Sequence, residues 1–223
     1  MKPCISNRKA AALTLVEVLV VIAVLALIAI FLLPALHNAK VKSQRISCIN
    51  NLMQIGMSFR IWEGDHTNLY PMSVSTNLGG TLEYVKSGEV FRHFQVMSNE
   101  LTTPYILICP ADMRPRAKDF GSTFSNTNVS YFVGLDANDS SPQNLLSGDR
   151  NIIGGIKTAN GIFEITTNQF ISWSPEMHNG VGNVGLADGS VSQLGSGRLG
   201  ENAIWGEDEI RQVLDATNRL AIP

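Results

Sequence analysis

Between Ala10 and Leu36, 24 of 27 residues are hydrophobic, the exceptions being Thr14, Glu17 and Pro34. No other feature constrains this 223-residue chain so tightly. Val18 to Leu36 is a run of 19 residues without a charge, which is transmembrane length. Outside that block the sequence is more polar and rich in Gly and Asn. The overall hydrophobic content of 44% therefore averages two materials, a lipid-compatible segment and a polar remainder. A purely cytosolic soluble protein is not expected. The net charge of -2 supplies no basic field for nucleic acid. Apolar residues recur along the remainder, so bulk disorder is not expected either.

The flanks define the segment further. Residues 1–12 carry Lys2, Arg8 and Lys9 and no acid. A cleaved secretory signal has a short apolar core followed by a small-x-small site. Here the run from Leu13 to Leu36 would extend ~36 Å as a helix, and no Ala-x-Ala follows it. A plain signal anchor would place the N-terminus in the cytoplasm, although Lys40, Lys42 and Arg45 blur the charge bias. Glu17 is the anomaly. A carboxylate costs ~2.5 kcal/mol at the centre of an apolar span and less near its end.

Leu13-Thr14-Leu15-Val16-Glu17, preceded by a basic leader and followed by an apolar helix, resembles the type III signal of type IV pilins and type II secretion pseudopilins. Ala12 stands where that family usually has Gly, and Leu13 where it usually has Phe. The resemblance implies that a prepilin peptidase cuts after Ala12 and methylates the new N-terminus at Leu13. Glu17 would become the fifth mature residue and pair with the terminal amine of a neighbouring subunit, fixing axial register. An unpaired carboxylate in an apolar bundle is unfavourable, whereas one paired with an ammonium is tolerated. Pro34 removes a backbone donor and predicts a kink.

Beyond the span, Ile46, Ile49, Leu52, Met53, Gly56 and Phe59 follow helical spacing and predict an amphipathic helix ending near Gly64. The expected architecture is α+β and pilin-like: a long N-terminal helix, half membrane segment and half amphipathic spine, packed on a small antiparallel β-sheet head. Its divisions are a basic leader (1–12), a transmembrane or filament-core helix (13–36), a spine helix (37–64) and an extracytoplasmic head (65–223).

A second resemblance runs from Cys48 to Gly189. Cys48-x-x-Asn51-Leu52-x-Gln54-Ile55-Gly56 is similar to a segment of a large group of bacterial pseudopilin-like proteins. Members of that group often carry a Tyr-Pro pair, here Tyr70-Pro71, and a Cys-Pro-x-Asp segment, here Cys109-Pro110-Ala111-Asp112. They also carry a His, nine residues and then Asp-Gly, here His178 and Asp188-Gly189. In that topology the leader would take Cys4 away and leave Cys48 and Cys109 outside the cytoplasm. A Cys48–Cys109 bridge would close a loop of about 60 residues, worth ~4 kcal/mol in the chain-entropy model. Two buried free thiols are the alternative.

In the head, Val129–Leu135 and Gly161–Thr166 read as strands. Val184–Leu194 reads as a hairpin turned by Asp188-Gly189, the dipeptide favoured in type I′ turns. His178 would bond to the backbone or to Asp188, and these two alone are too few for a metal site. Asp136-Ala137-Asn138-Asp139, with Asp149 beyond, offers hard oxygen ligands for Ca²⁺, centred on Asp136 and Asp139. Such clusters are also ordinary turns. Otherwise no cofactor is expected. Residues 207–220 repeat apolar positions at helical spacing and predict a short helix.

No nucleophile elbow, zincin motif, phosphate loop or dinucleotide fingerprint is present, and His37, His66, His93 and His178 are scattered. The expectation is a non-enzymatic prepilin-type subunit. It would span the bacterial inner membrane once, N-terminus cytoplasmic and head periplasmic, before joining a filament of a type II secretion or type IV pilus-like system. Its partners would be the prepilin peptidase/methylase, other pseudopilin subunits in a helical polymer, and an inner-membrane assembly platform. The alternative is a signal-anchored extracytoplasmic binding module or hydrolase.

Overall fold

A computed structural model describes residues 14–158, 160–166, 170–195, 197–198 and 218–223. The chain divides into two compact units, residues 1–42 and residues 43–223. The helix α1, Leu15–Asp65, starts in the first unit and continues into the second.

In the first unit, residues 14–40 are exposed and helical from Leu15 onward. The helix contains an 18-residue window of mean hydropathy 3.2, long and apolar enough to cross a membrane. Thr14 and Glu17 close its N-terminus reciprocally. The Thr14 amide and hydroxyl each donate to Glu17 Oε2 at 3.0 Å, and the Glu17 amide donates to Thr14 Oγ1 at 3.3 Å. The sequence Thr-x-x-Glu is thus a capping box, satisfying amides that have no partner in the first turn. The backbone stays helical through Pro34, although that residue donates no hydrogen bond.

The second unit is built on the rest of α1. Its buried stripe is Cys48, Leu52, Ile55, Phe59 and Trp62. Leu52, Gly56 and Phe59 are buried as expected, whereas Ile46 and Met53 lie exposed, on the side that also presents Met57 and Ile61. The helix has two apolar stripes, and the packed one includes Cys48 and Trp62. Two short helices, α2 (Val90–Gln95) and α3 (Ser98–Leu101), and several 3₁₀ turns connect it to the sheets.

Among the described residues, ten strands form two antiparallel sheets. They are β1 (Tyr131–Gly134), β2 (Leu145–Asp149), β3 (Ile152–Gly154), β4 (Ile156–Lys157), β5 (Ile162–Ile165), β6 (Phe170–Trp173), β7 (Gly182–Leu186), β8 (Val191–Leu194), β9 (Gly197–Arg198) and β10 (Asn218–Ala221). The larger sheet has the order β4-β5-β10-β1-β2-β7-β8, and the smaller β3-β6-β9. The arrangement is α+β and pilin-like, as the sequence leads one to expect.

Alternation along the central strands sorts their side chains between two cores. Tyr131 and Val133 of β1 join the α1 core with Phe59, Tyr70, Phe94 and Leu107. Phe132 joins a second core with Leu145, Ile171, Trp173, Val184 and Leu220. Strands β1 and β2 are therefore buried on both faces.

The expected C-terminal helix is corrected in part. Residues 207–217 lie outside the described residues, but Asn218–Ala221 is strand β10, paired with β5 on one side and β1 on the other. Two ladders and burial of Leu220 and Ala221 outweigh the local helical spacing.

Candidate buried thiol–imidazole–carboxylate site

Four side chains from four parts of the second unit converge. Cys48 comes from the buried face of α1, and Cys109 from the segment after the 3₁₀ turn Pro104–Leu107. Asp149 ends β2, and His178 lies between β6 and β7. Each offers one lone-pair atom, and these atoms all lie within 4.8 Å of one another. All four residues are buried.

Cys48 Sγ donates to Asp149 Oδ1 at 3.1 Å. Cys109 Sγ and His178 Nε2 are 3.1 Å apart, and His178 Nε2 lies 3.6 Å from Asp149 Oδ2. Around this inner set stands a ring of donors. The backbone amide and side-chain Nδ2 of Asn183 both donate to Asp149 Oδ2 at 2.8 Å. The Ala111 amide donates to Cys109 Sγ at 3.4 Å. The Tyr131 hydroxyl is 3.4 Å from Cys48 Sγ and accepts from Asn51 Nδ2 at 3.3 Å. Arg45 Nη2 donates to the His178 carbonyl at 3.2 Å. His178 itself has φ +52°, a left-handed conformation that costs of order 1 kcal/mol in a non-glycine residue and is held here by its surroundings.

The electrostatics separate the two thiols. Burial pushes the Cys48 thiol up. The neighbouring Cys48 thiol draws Cys109 down to about 5, against burial and with help from His178. For Asp149, burial and the nearby Cys109 charge raise the carboxyl to about 6, while His178, Cys48 and Asn183 oppose the rise. Burial would lower the His178 imidazole, but its hydrogen bond to Cys109 and the charges of Cys109 and Asp149 turn the shift upward. Both shifts run toward the charged forms, a thiolate at Cys109 and an imidazolium at His178. Cys109 is nevertheless 0% exposed, so a substrate would reach it only through opening of the core.

The other residues singled out from sequence fall elsewhere. His178 turns toward Cys109 and Asp149 and not toward Asp188. Asp188 is at the β7–β8 hairpin tip, where its Oδ1 accepts from the Ser190 amide at 2.8 Å. Only Gly189 has positive φ there (+85°), and its amide donates to the Leu186 carbonyl at 3.0 Å. The loop is thus three residues with a glycine bulge, not the expected type I′ turn. That tip lies on α1: a Cβ at Gly56 would sit 3.8 Å from Gly189 Cα, and Arg60 Nη2 and the Tyr70 hydroxyl each donate to the Ala187 carbonyl at 3.0 Å. The Cys48–Gly56 and His178–Gly189 segments are thereby two sides of one contact.

Asp112 is bound by Arg150, Nε to Oδ2 at 2.8 Å and Nη2 to Oδ1 at 3.0 Å. Asp136 is likewise held by Arg219, whose amide and Nε donate to Oδ2 at 2.8 and 3.1 Å, while Asp139 is exposed. A Ca²⁺ ion at Asp136 would compete with that guanidinium. Ala12 and Leu13 lie outside the described residues. Cys48 and Cys109 are free thiols in this structure.

Sequence reasoning met Cys48, Cys109 and His178 as separate motif members and Asp149 as a companion of the acidic loop. It missed Tyr131 and Asn183, which have no local motif. The Thr14–Glu17 cap was legible as Thr-x-x-Glu and went unread.

Comparison with known families matches residues 7–33 to the prokaryotic N-terminal methylation motif. The match supports a type IV pilin-like protein, and with the apolar helix that follows it fits a membrane-anchored, prepilin-type subunit. No curated protein and no solved structure matches the chain.

Proposed function

We propose that the chain is a pseudopilin-type subunit of a type II secretion or type IV pilus-like machine. The observation that carries this reading is the methylation motif over residues 7–33, running directly into a helix of membrane-spanning length and hydropathy. Prepilin peptidase cuts between Ala12 and Leu13 and methylates the Leu13 amine. The subunit then waits in the inner membrane with its head on the periplasmic side. An assembly platform extracts it into a helical filament of like subunits. There Glu17 exchanges its local cap at Thr14 for the terminal amine of a neighbour, which sets axial register. The filament works mechanically, and the covalent chemistry belongs to the peptidase.

Mass spectrometry of the protein isolated from its membrane tests this reading. The expected N-terminal peptide begins with methyl-Leu13. A peptide beginning at Met1 or Lys2 overturns the reading and leaves a signal-anchored module. Glu17→Ala separates anchoring from assembly: membrane insertion should persist while incorporation into filaments falls.

A further inference from the structure

We propose that Cys48, Cys109, His178 and Asp149 hold one divalent transition-metal ion of the zinc class, forming a closed structural centre that ties α1 to the sheet. Two thiols, an imidazole and a carboxylate are a donor set suited to Zn²⁺, whereas Ca²⁺ and Mg²⁺ call for all-oxygen sites. Bond lengths of ~2.3 Å to sulfur and ~2.0 Å to nitrogen or oxygen, at tetrahedral angles, put neighbouring donor atoms ~3.3–3.8 Å apart. The Cys48 Sγ–Asp149 Oδ1 and Cys109 Sγ–His178 Nε2 separations, each 3.1 Å, are within a few tenths of that, and the whole set lies within 4.8 Å. Little movement would seat an ion among them.

The second shell fits the same reading. Metal thiolates and carboxylates are oriented by outer hydrogen-bond donors. Here the Ala111 amide points at Cys109 Sγ, the Tyr131 hydroxyl lies beside Cys48 Sγ, and Asn183 grips Asp149 Oδ2 with two donors, leaving Oδ1 toward the cluster. On binding, one proton leaves Cys48 and one leaves the Cys109–His178 pair, and two metal–sulfur bonds form. The two protons pass to solvent, His178 coordinates as neutral imidazole through Nε2, and Asp149 coordinates as carboxylate. With two thiolates, one carboxylate and a divalent ion the centre carries one net negative charge. The Arg45 guanidinium, bound to the His178 carbonyl, lies close enough to offset it.

A Cys48–Cys109 disulfide would use the same sulfurs and leave the carboxylate and imidazole without a role. Convergence of all four donors favours the ion. Four buried protein ligands leave no open position, so the centre is structural, not catalytic.

The test uses the full chain in detergent, prepared with a reductant and without chelator. Elemental analysis is expected to find one zinc per chain. Replacement by Co²⁺ should give the intense visible bands of a tetrahedral centre and near-ultraviolet sulfur-to-cobalt charge transfer. Cys48→Ser should weaken that charge transfer, and His178→Ala should abolish stoichiometric metal. Tyr131→Phe keeps all four ligands and should weaken metal affinity about tenfold, a readout that survives if ligand variants misfold. Three results overturn the proposal: metal-free protein with both thiols free, a chain two hydrogens lighter with Cys48 and Cys109 linked, or a cobalt spectrum unchanged by Cys48→Ser. These outcomes are read on a chain with either N-terminus, so they are independent of cleavage at Ala12.

Discussion

His93 is fully buried on α2, with its Nδ1 2.7 Å from the Thr81 hydroxyl and its Nε2 without a partner. Burial pushes its imidazole down to about 4. The unfolded chain takes up this proton near the ordinary histidine value, and the folded chain only near 4. Between those values the unfolded state binds more protons, so stability falls as pH falls through this window. The loss is of the order of a few kcal/mol. Denaturant unfolding of wild type and His93→Phe at pH 7 and pH 4.5 is expected to show a smaller acid loss in the variant. Asp112 is a second buried group whose state its partners set. Its side chain is 2% exposed, and burial alone would raise its carboxyl. The Arg150 and Ser130 hydrogen bonds reverse that. Arg150→Met strands a buried charge and should cost of order 3 kcal/mol in unfolding free energy, with recovery when Asp112→Asn is added. Neither partner is legible in sequence. Asp112 was read within Cys-Pro-x-Asp, but Arg150 is 38 positions away and no periodicity ties the two.

The phase of α1 is the clearest element-scale lesson. Apolar spacing predicted a helix with a buried face, and the helix buries Leu52, Gly56 and Phe59 of that face but leaves Ile46 and Met53 exposed. The spine holds enough apolar residues for two stripes, and only the tertiary partner decides between them. Tyr70, Phe94 and the hairpin tip choose the side of Phe59, which is 0% exposed, over Met57, which is 63% exposed. Phe59→Ala should therefore cost about 3–5 kcal/mol, while Met57→Ala should stay within about 0.5 kcal/mol. Equal costs in thermal or denaturant unfolding would mean that both sides of the helix are packed. The strands follow the same logic. Sequence reading of Val129–Leu135 and Gly161–Thr166 anticipated β1 and β5, because β-branched and aromatic runs bounded by turn residues are local signals. Strand β10 was not legible, because a four-residue strand held by ladders on both sides owes its form to its neighbours.

At the scale of the molecule, the two signals that proved most informative act at opposite distances. The methylation motif over residues 7–33, with Glu17 inside it, is contiguous and could be read directly. The thiol–imidazole–carboxylate cluster gathers residues up to 130 positions apart in sequence, from Cys48 to His178, and only the fold assembles it. Cleavage after Ala12 would also change the whole chain's electrostatics. Removing Lys2, Arg8 and Lys9 leaves 14 basic residues against 19 acids, so side-chain charge moves from -2 to -5. Isoelectric focusing of chain isolated with and without the peptidase should show a distinct acidic shift on processing. The place of β10 has its own consequence. Residues 218–221 sit between β5 and β1 in the interior of the larger sheet. Until the ribosome has made them, β4-β5 cannot join β1-β2-β7-β8, so the sheet cannot close during synthesis of the preceding segments. A nascent chain halted before Asn218 would carry two unpaired edges and invite aggregation. Folding of this sheet thus waits on β10, the latch that closes it.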